Sequence, residues 1–179
     1  MTNPTQVNST PAQASTSTAA VQAPLTEQQI RAFAAAWFRA LDIHAPVDEC
    51  ARFVADADVE FVFPEKTCRG MGDFKAWYAG GDYSDATRAP GVINIFFDET
   101  HNVQSVEAQI SEDEADVRVV VGWQASWFEA PAPKSKRTSL SATQQWRLRR
   151  SDKNVYGLEI ARYVAIAEPF KYAPGFAQL

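Results

Sequence analysis

The sequence predicts an α+β fold, with helices gathered at the start of one domain, an antiparallel sheet after them, and a pocket between the two. Three observations carry this. Apolar residues between 27 and 55 recur at helical steps of three and four. From residue 116 onward they alternate with polar ones through three stretches of ten or more residues, long against a usual strand length of about 5–6. Every aromatic and every charged side chain lies beyond residue 24.

Residues 1–24 are built almost wholly from Thr, Ala, Ser, Gln, Pro and Asn. Such a segment buries too little apolar surface to offset its ordering entropy, so it is expected to be a disordered tail. It has neither the basic and apolar regions of a secretory signal nor the arginines of a mitochondrial leader. Residues 25–179 are then a single domain. Thr26 with Gln29 suggests a capping box. Ile30, Phe33, Ala34, Trp37, Phe38 and Leu41 predict a helix from Glu27 to about His44. Pro46 opens a second helix carrying Val47, Cys50, Ala51, Phe53 and Val54 to about Ala55. Val59–Phe63 is a strand closed by Pro64. Residues 64–72 read as a turn. Asp73 caps a third helix with Phe74, Trp77 and Tyr78, ended by Gly80-Gly81. Residues 82–91 read as a loop, and Val92–Phe97 as apolar β lead-in. Strands follow at 102–110, 116–129, 137–149 and 156–166, joined by polar turns and the Pro-containing loop 130–136. Long twisted strands curl, and helices across the open side of a curled sheet enclose a pocket.

The formal charge of −5 and pI near 5.1 argue against a nucleic-acid partner. Lys134, Lys136, Arg137, Arg147, Arg149 and Arg150 fit a solvated hairpin edge better than a binding patch. No apolar run reaches the ~18 residues of a membrane span. Cys50 and Cys68, with two histidines, supply neither a disulfide framework nor a closed zinc site, so no metal or cofactor is expected. Cys50 should be buried and inert, and Cys68 more exposed. Unpaired thiols point to a reducing, cytoplasmic compartment.

Three groups are candidates for chemistry. His101 follows Asp98-Glu99-Thr100 at the mouth of the sheet and titrates near neutral pH, suiting acid–base work, with Asp98 or Glu99 to orient it. Arg162 lies on an otherwise apolar alternation of Leu158, Ile160, Val164 and Ile166. If that face is inward, Arg162 needs an anion or a carboxylate such as Glu107; if Glu159, Ala161, Tyr163 and Ala165 face inward, Arg162 is outside. The third group is aromatic. Trp37, Phe61, Phe63, Trp77, Tyr78, Trp123 and Trp146, with Gln144 among them, suit a hydrophobic pocket for a flat or cyclic molecule. The sheet's other face needs cover, which predicts a homodimer through the long strands, with Trp123, Trp127 and Trp146 as alternative contributors there.

The segments AFAAAWFRALDIHAPVDECARFVADADVEFVFP, CRGMGDFKAWYAG, FFDETHNVQSVEAQI, WQASWFEA and TQQWRLRR resemble the nuclear transport factor 2-like (NTF2-like) superfamily, in its SnoaL-like and ketosteroid-isomerase-like branch. The likeness covers about residues 27–167. It implies a cone-shaped fold: N-terminal helices on a strongly curved, antiparallel or mixed sheet around a pocket. The superfamily includes isomerases, cyclases, dehydratases and adaptors without chemistry, so fold alone does not name an activity. The ketosteroid isomerase base position falls on Phe61 or Phe63, which cannot take a proton. What the resemblance leaves is a cofactor-free lyase, isomerase or cyclase working by proton transfer, with His101 as acid–base and Asp98 or Arg162 assisting. The alternative is a non-catalytic binding or dimerisation module.

Overall fold

The computed structural model describes residues 23–81, 90–128 and 134–167. All but the last two residues of the predicted tail, most of the 82–91 loop and the prolines of the 130–136 loop lie outside these. Helix α1 spans Glu27–Asp42. Thr26 Oγ1 accepts from the Gln29 N–H at 3.1 Å, but the Gln29 side chain does not complete a capping box. Its amide donates instead to the Tyr156 carbonyl at 2.7 Å, tying α1 to the end of the sheet. The helix stops in a Schellman turn: the His44 N–H meets the Leu41 carbonyl and the Ala45 N–H meets the Ala40 carbonyl. His44 fills the left-handed position, φ 49°, usually given to glycine.

The second helix is shorter than expected, one turn α2 (Val47–Cys50) continuing as a 3₁₀ turn at Ala51–Phe53. Strand β1 (Glu60–Val62) follows. The expected turn at 64–72 holds a strand, β2 (Thr67–Arg69), antiparallel to β1. A strand of three residues leaves no alternation to detect. It also places Cys68 in the core, against the expectation of exposure. Helix α3 starts at Gly70 and runs to Ala79, earlier than Asp73, whose carboxylate reaches back to the Arg69 N–H at 2.9 Å. Val92–Ile95 is one helical turn, α4, rather than extended chain.

Four long strands complete the sheet: β3 (Phe96–Ser111), β4 (Glu114–Phe128), β5 (Ser135–Arg150) and β6 (Leu158–Ile166). The order is β2-β1-β6-β5-β4-β3, with β1 parallel to β6 and every other pair antiparallel. The sheet is therefore mixed and curved, and the helices pack on its inner face. On β4 and β5 the inward residues are those the alternation selects, among them Val117, Val119, Val121, Ala142, Gln144, Trp146 and Leu148. Trp123, Trp127 and Trp146 thus belong to the inner side, not to an outer contact face.

Strand β6 obeys neither of its two proposed faces throughout. Its register against β5 slips between Arg147 and Leu148, because Arg147 pairs with Arg162 but Leu148 with Ile160. Ala161 is the extra residue, and a one-residue bulge exchanges the faces. Leu158 and Ile160 point inward before it, Tyr163 after it, and Arg162 outward. The core closes as an aromatic stack: Phe61 lies 4.7 Å from Tyr163 and Phe63 lies 4.8 Å from Trp77, centroid to centroid.

Candidate active site

A cavity of about 150 Å³ remains between α1, α3, α4 and the inner faces of β3–β6. Phe63, Trp77, Phe96, Trp123 and Leu140 supply its apolar walls. Glu99, His101, Gln144 and Tyr163 reach it from the sheet, and Glu65 and Lys66 from the turn after β1. A larger open depression of about 780 Å³ lies on the outer face, around Glu107, Asp116, Arg118, Arg147 and Arg162. Its acids and bases pair with one another or with Glu60, and it holds no group placed for chemistry.

The inner cavity is different. His101, on β3, is almost fully buried, and its Nδ1 lies 2.7 Å from Oδ1 of Asp42, in the last turn of α1. A carboxylate only accepts, so Nδ1 carries a proton, and in the neutral ring the lone pair is then on Nε2. The ring stacks on Phe38 at 4.8 Å, which fixes its plane. Glu99, two residues earlier on the strand, is also buried. Its Oε1 accepts from the Trp123 indole at 2.5 Å, and its Oε2 lies 3.1 Å from Nε2 of His44. His101 Nε2 stands 3.9 Å from Glu99 Oε1, about 1 Å beyond hydrogen-bond length.

Strand irregularity makes this arrangement possible. The β3–β4 register slips between Phe97 and Thr100, with Asp98 left-handed at φ 53°. The bulge turns Asp98 outward and Glu99 inward. On the opposite wall the Trp146 indole donates to Gln144 Oε1 at 3.1 Å. Since the indole only donates, the Gln144 amide nitrogen is left as a donor. Burial, reinforced by the charge of Glu99, pushes the Tyr163 phenol well above its usual range, so it stays neutral.

Of the residues chosen from sequence, His101, Phe63, Trp77, Trp123 and Gln144 line the cavity. Trp37, Phe61, Tyr78 and Trp146 are buried one layer behind it: Trp37 packs on Phe53, Phe61 and Phe74, and the Tyr78 hydroxyl donates to the Ala45 carbonyl. Asp98 is a solvent-facing partner of Arg137, at 2.7 Å. Arg162 pairs with Glu60 at 2.8 Å on the outer face, and Glu107 faces Arg118 instead. Asp42, His44 and Tyr163 were not among the candidates. Asp42 directly follows Leu41 on the apolar stripe, and His44 is the only other histidine; both were signals. Among the described residues no group of three or more His, Cys, Asp or Glu is placed to hold a metal, and no helix is long and apolar enough to cross a membrane.

At the level of sequence, neither a protein-family model nor a curated protein matches the chain. Solved structures do match by shape. A scytalone dehydratase-like protein of Novosphingobium aromaticivorans shares 16% identity at a TM-score of 0.62, over 84% of this chain and 89% of that one. The hexachlorocyclohexane dehydrochlorinase LinA-type3 of Novosphingobium barchaimii shares 14% at 0.58, over 85% and 92%. An NTF2-like superfamily protein of Salmonella enterica shares 14% at 0.57, over 84% and 96%. The order α1 to β6, the mixed curved sheet and these likenesses agree: the chain has the NTF2-like, SnoaL-like α+β cone fold.

Proposed function

We propose that the protein is a cofactor-independent lyase, isomerase or cyclase that moves a proton on a small hydrophobic or cyclic molecule. The carrying observation is the Asp42–His101 pair in an apolar cavity. Asp42 accepts the hydrogen bond from Nδ1–H and leaves Nε2, on the cavity side, as the base. In an elimination, Nε2 would take a proton from carbon, the C–H electrons would form the double bond, and the leaving group would depart from the neighbouring carbon. Asp42 would hold the imidazolium so formed. Neutral donors at Tyr163 and the Gln144 amide suit a carbonyl, hydroxyl or halogen on the far side. Two of the structural neighbours carry the names of a dehydratase and a dehydrochlorinase, both eliminating enzymes.

The test is a panel of small cyclic β-hydroxy ketones and halocycloalkanes, followed for loss of water or halide. Turnover should fall by about 10³ or more in His101→Gln and by about 10²–10⁴ in Asp42→Asn. Turnover that survives His101→Gln would falsify this reading. The small cavity favours a second one, a binding module filled by its own aromatics; a ligand bound equally by wild type and His101→Gln and never converted would support it. We infer, too, that the chain pairs with a second copy across the outer sheet face, where Phe97, Phe128 and Ile166 are exposed. Two unpaired buried thiols fit a reducing compartment.

A further inference from the structure

We propose that Glu99 is a second carboxylate acting on His101, a positioning residue clamped by His44 and Trp123 so that it receives the imidazolium at Nε2. The inference rests on His101 being the base.

Glu99 is a buried carboxylate, and such a group is retained only with charge-assisted partners. Two are fixed, the Trp123 indole on one oxygen and His44 on the other. Neither is a neighbour in sequence, and unusual backbone holds His44 and Glu99 itself. His44 occupies a left-handed helix-ending position at which glycine would be unstrained. Asp98, beside Glu99, is left-handed as well, and the bulge it makes is what turns Glu99 inward. A third left-handed non-glycine residue among those described, Glu112, sits in the β3–β4 turn. Two of the three strained positions therefore flank one carboxylate, and strain of this kind persists where the surroundings over-determine it.

The chemistry follows from the two faces of the imidazole. While His101 is neutral, its Nε2 lone pair and Glu99 Oε1 are both acceptors, and they stand 3.9 Å apart without bonding. Once Nε2 takes a proton it becomes a charged donor 3.9 Å from that oxygen. Asp42 on Nδ1 and Glu99 on Nε2 then bracket the cation. Glu99 contributes only after protonation, so it favours the charged product of the proton transfer over the resting base. His44 shares the same carboxylate and competes for it when charged. Groups facing the pair are Asp42 from α1, His44 from the turn, Tyr78 from α3 and Tyr163 from β6, with Glu65 and Lys66 at the cavity mouth.

The chain contains two histidines, so imidazole NMR on the full protein, without substrate, reads both. Asp42→Asn should lower the His101 midpoint; a failure here removes the parent reading. Glu99→Gln should lower it separately, by about one pH unit or roughly tenfold in proton affinity. If Asp42→Asn acts and a folded Glu99→Gln leaves His101 unmoved, Glu99 has no such role and the Asp42–His101 pair still stands. Should Glu99→Gln not fold, His44→Asn decides. Asparagine tolerates the left-handed turn, and the vacated carboxylate should raise the His101 midpoint by about half a unit. No movement there overturns the proposal.

Discussion

Trp37 makes the residue scale concrete. Its indole nitrogen is buried without a hydrogen-bond partner among the described residues, although the ring packs on Phe53, Phe61 and Phe74. A buried donor left unpaired costs about 1–3 kcal/mol. Trp37→Phe removes that cost together with part of the ring, so the two effects oppose each other. The expected loss is about 1 kcal/mol in urea unfolding, against about 3–5 kcal/mol for Trp37→Ala. A Phe variant as damaging as the Ala variant would show that the indole nitrogen has a partner. The helical stripe identified Trp37 as apolar surface facing inward. It could not separate a core ring from a pocket ring, because both satisfy the same spacing. The same limit put Phe61, Tyr78 and Trp146 in the pocket, when each lies a layer behind it.

At the scale of elements, legibility tracked length. α1, β4 and β5 repeat their pattern over many residues, and their ends lie within a few residues of expectation. β2 and α4 are three and four residues long, and no period shows in so few. The bulges are the harder case. Ala161 in β6 and the Phe97–Thr100 slip in β3 each exchange the faces of a strand. Strict alternation therefore placed Arg162 on the apolar face and left Asp98 and Glu99 as equal partners for His101. The junction that sets the pocket wall is also fragile at one glycine. A Cβ on Gly91 would lie 2.2 Å from the Gly80 nitrogen and 2.5 Å from the Tyr78 carbonyl. Backbone cannot yield as a side-chain tip does, so α4 must lift away from α3. Gly91→Ala should cost about 1–3 kcal/mol. It should also disturb Val92 and Phe96, two wall residues, visible as shifted Trp123 indole signals in NMR. An unchanged melting temperature would contradict the close approach.

On the scale of the whole molecule, the sheet meets the N-terminal half of the chain at two sites with opposite demands. The pocket leaves its carboxylates poised, whereas the far end of the β5–β6 hairpin is clasped. Lys153 Nζ reaches Glu159 at 2.9 Å and Asp56 at 3.1 Å, and Arg149 joins Glu159 at 2.6 Å to Asp58 at 2.5 Å. Arg52 and Asn154 add backbone links across the same gap. The clasp holds the segment before β1 against the hairpin, next to where β1 enters the sheet parallel to β6. Burial raises the pKa of Glu159, but hydrogen bonds from Lys153, Arg149 and Ser151 outweigh it and hold the carboxyl below its usual value. The Arg149 hydrogen bond lowers Asp58 likewise. A depressed folded value means that the stabilisation is complete above the unfolded carboxyl value, about 4.3 for Glu, and is lost as pH falls through the folded one. Glu159→Gln keeps the shape and removes the charge, leaving Lys153 with Asp56 and Arg149 with Asp58. It should cost about 2–3 kcal/mol at pH 7, and the difference from wild type should shrink steadily below about pH 4. Urea unfolding of both proteins at pH 7 and at about pH 3 measures this. A gap that stays constant across that range would mean that Glu159 acts through packing alone, and that the charged clasp contributes nothing to the closure of the cone.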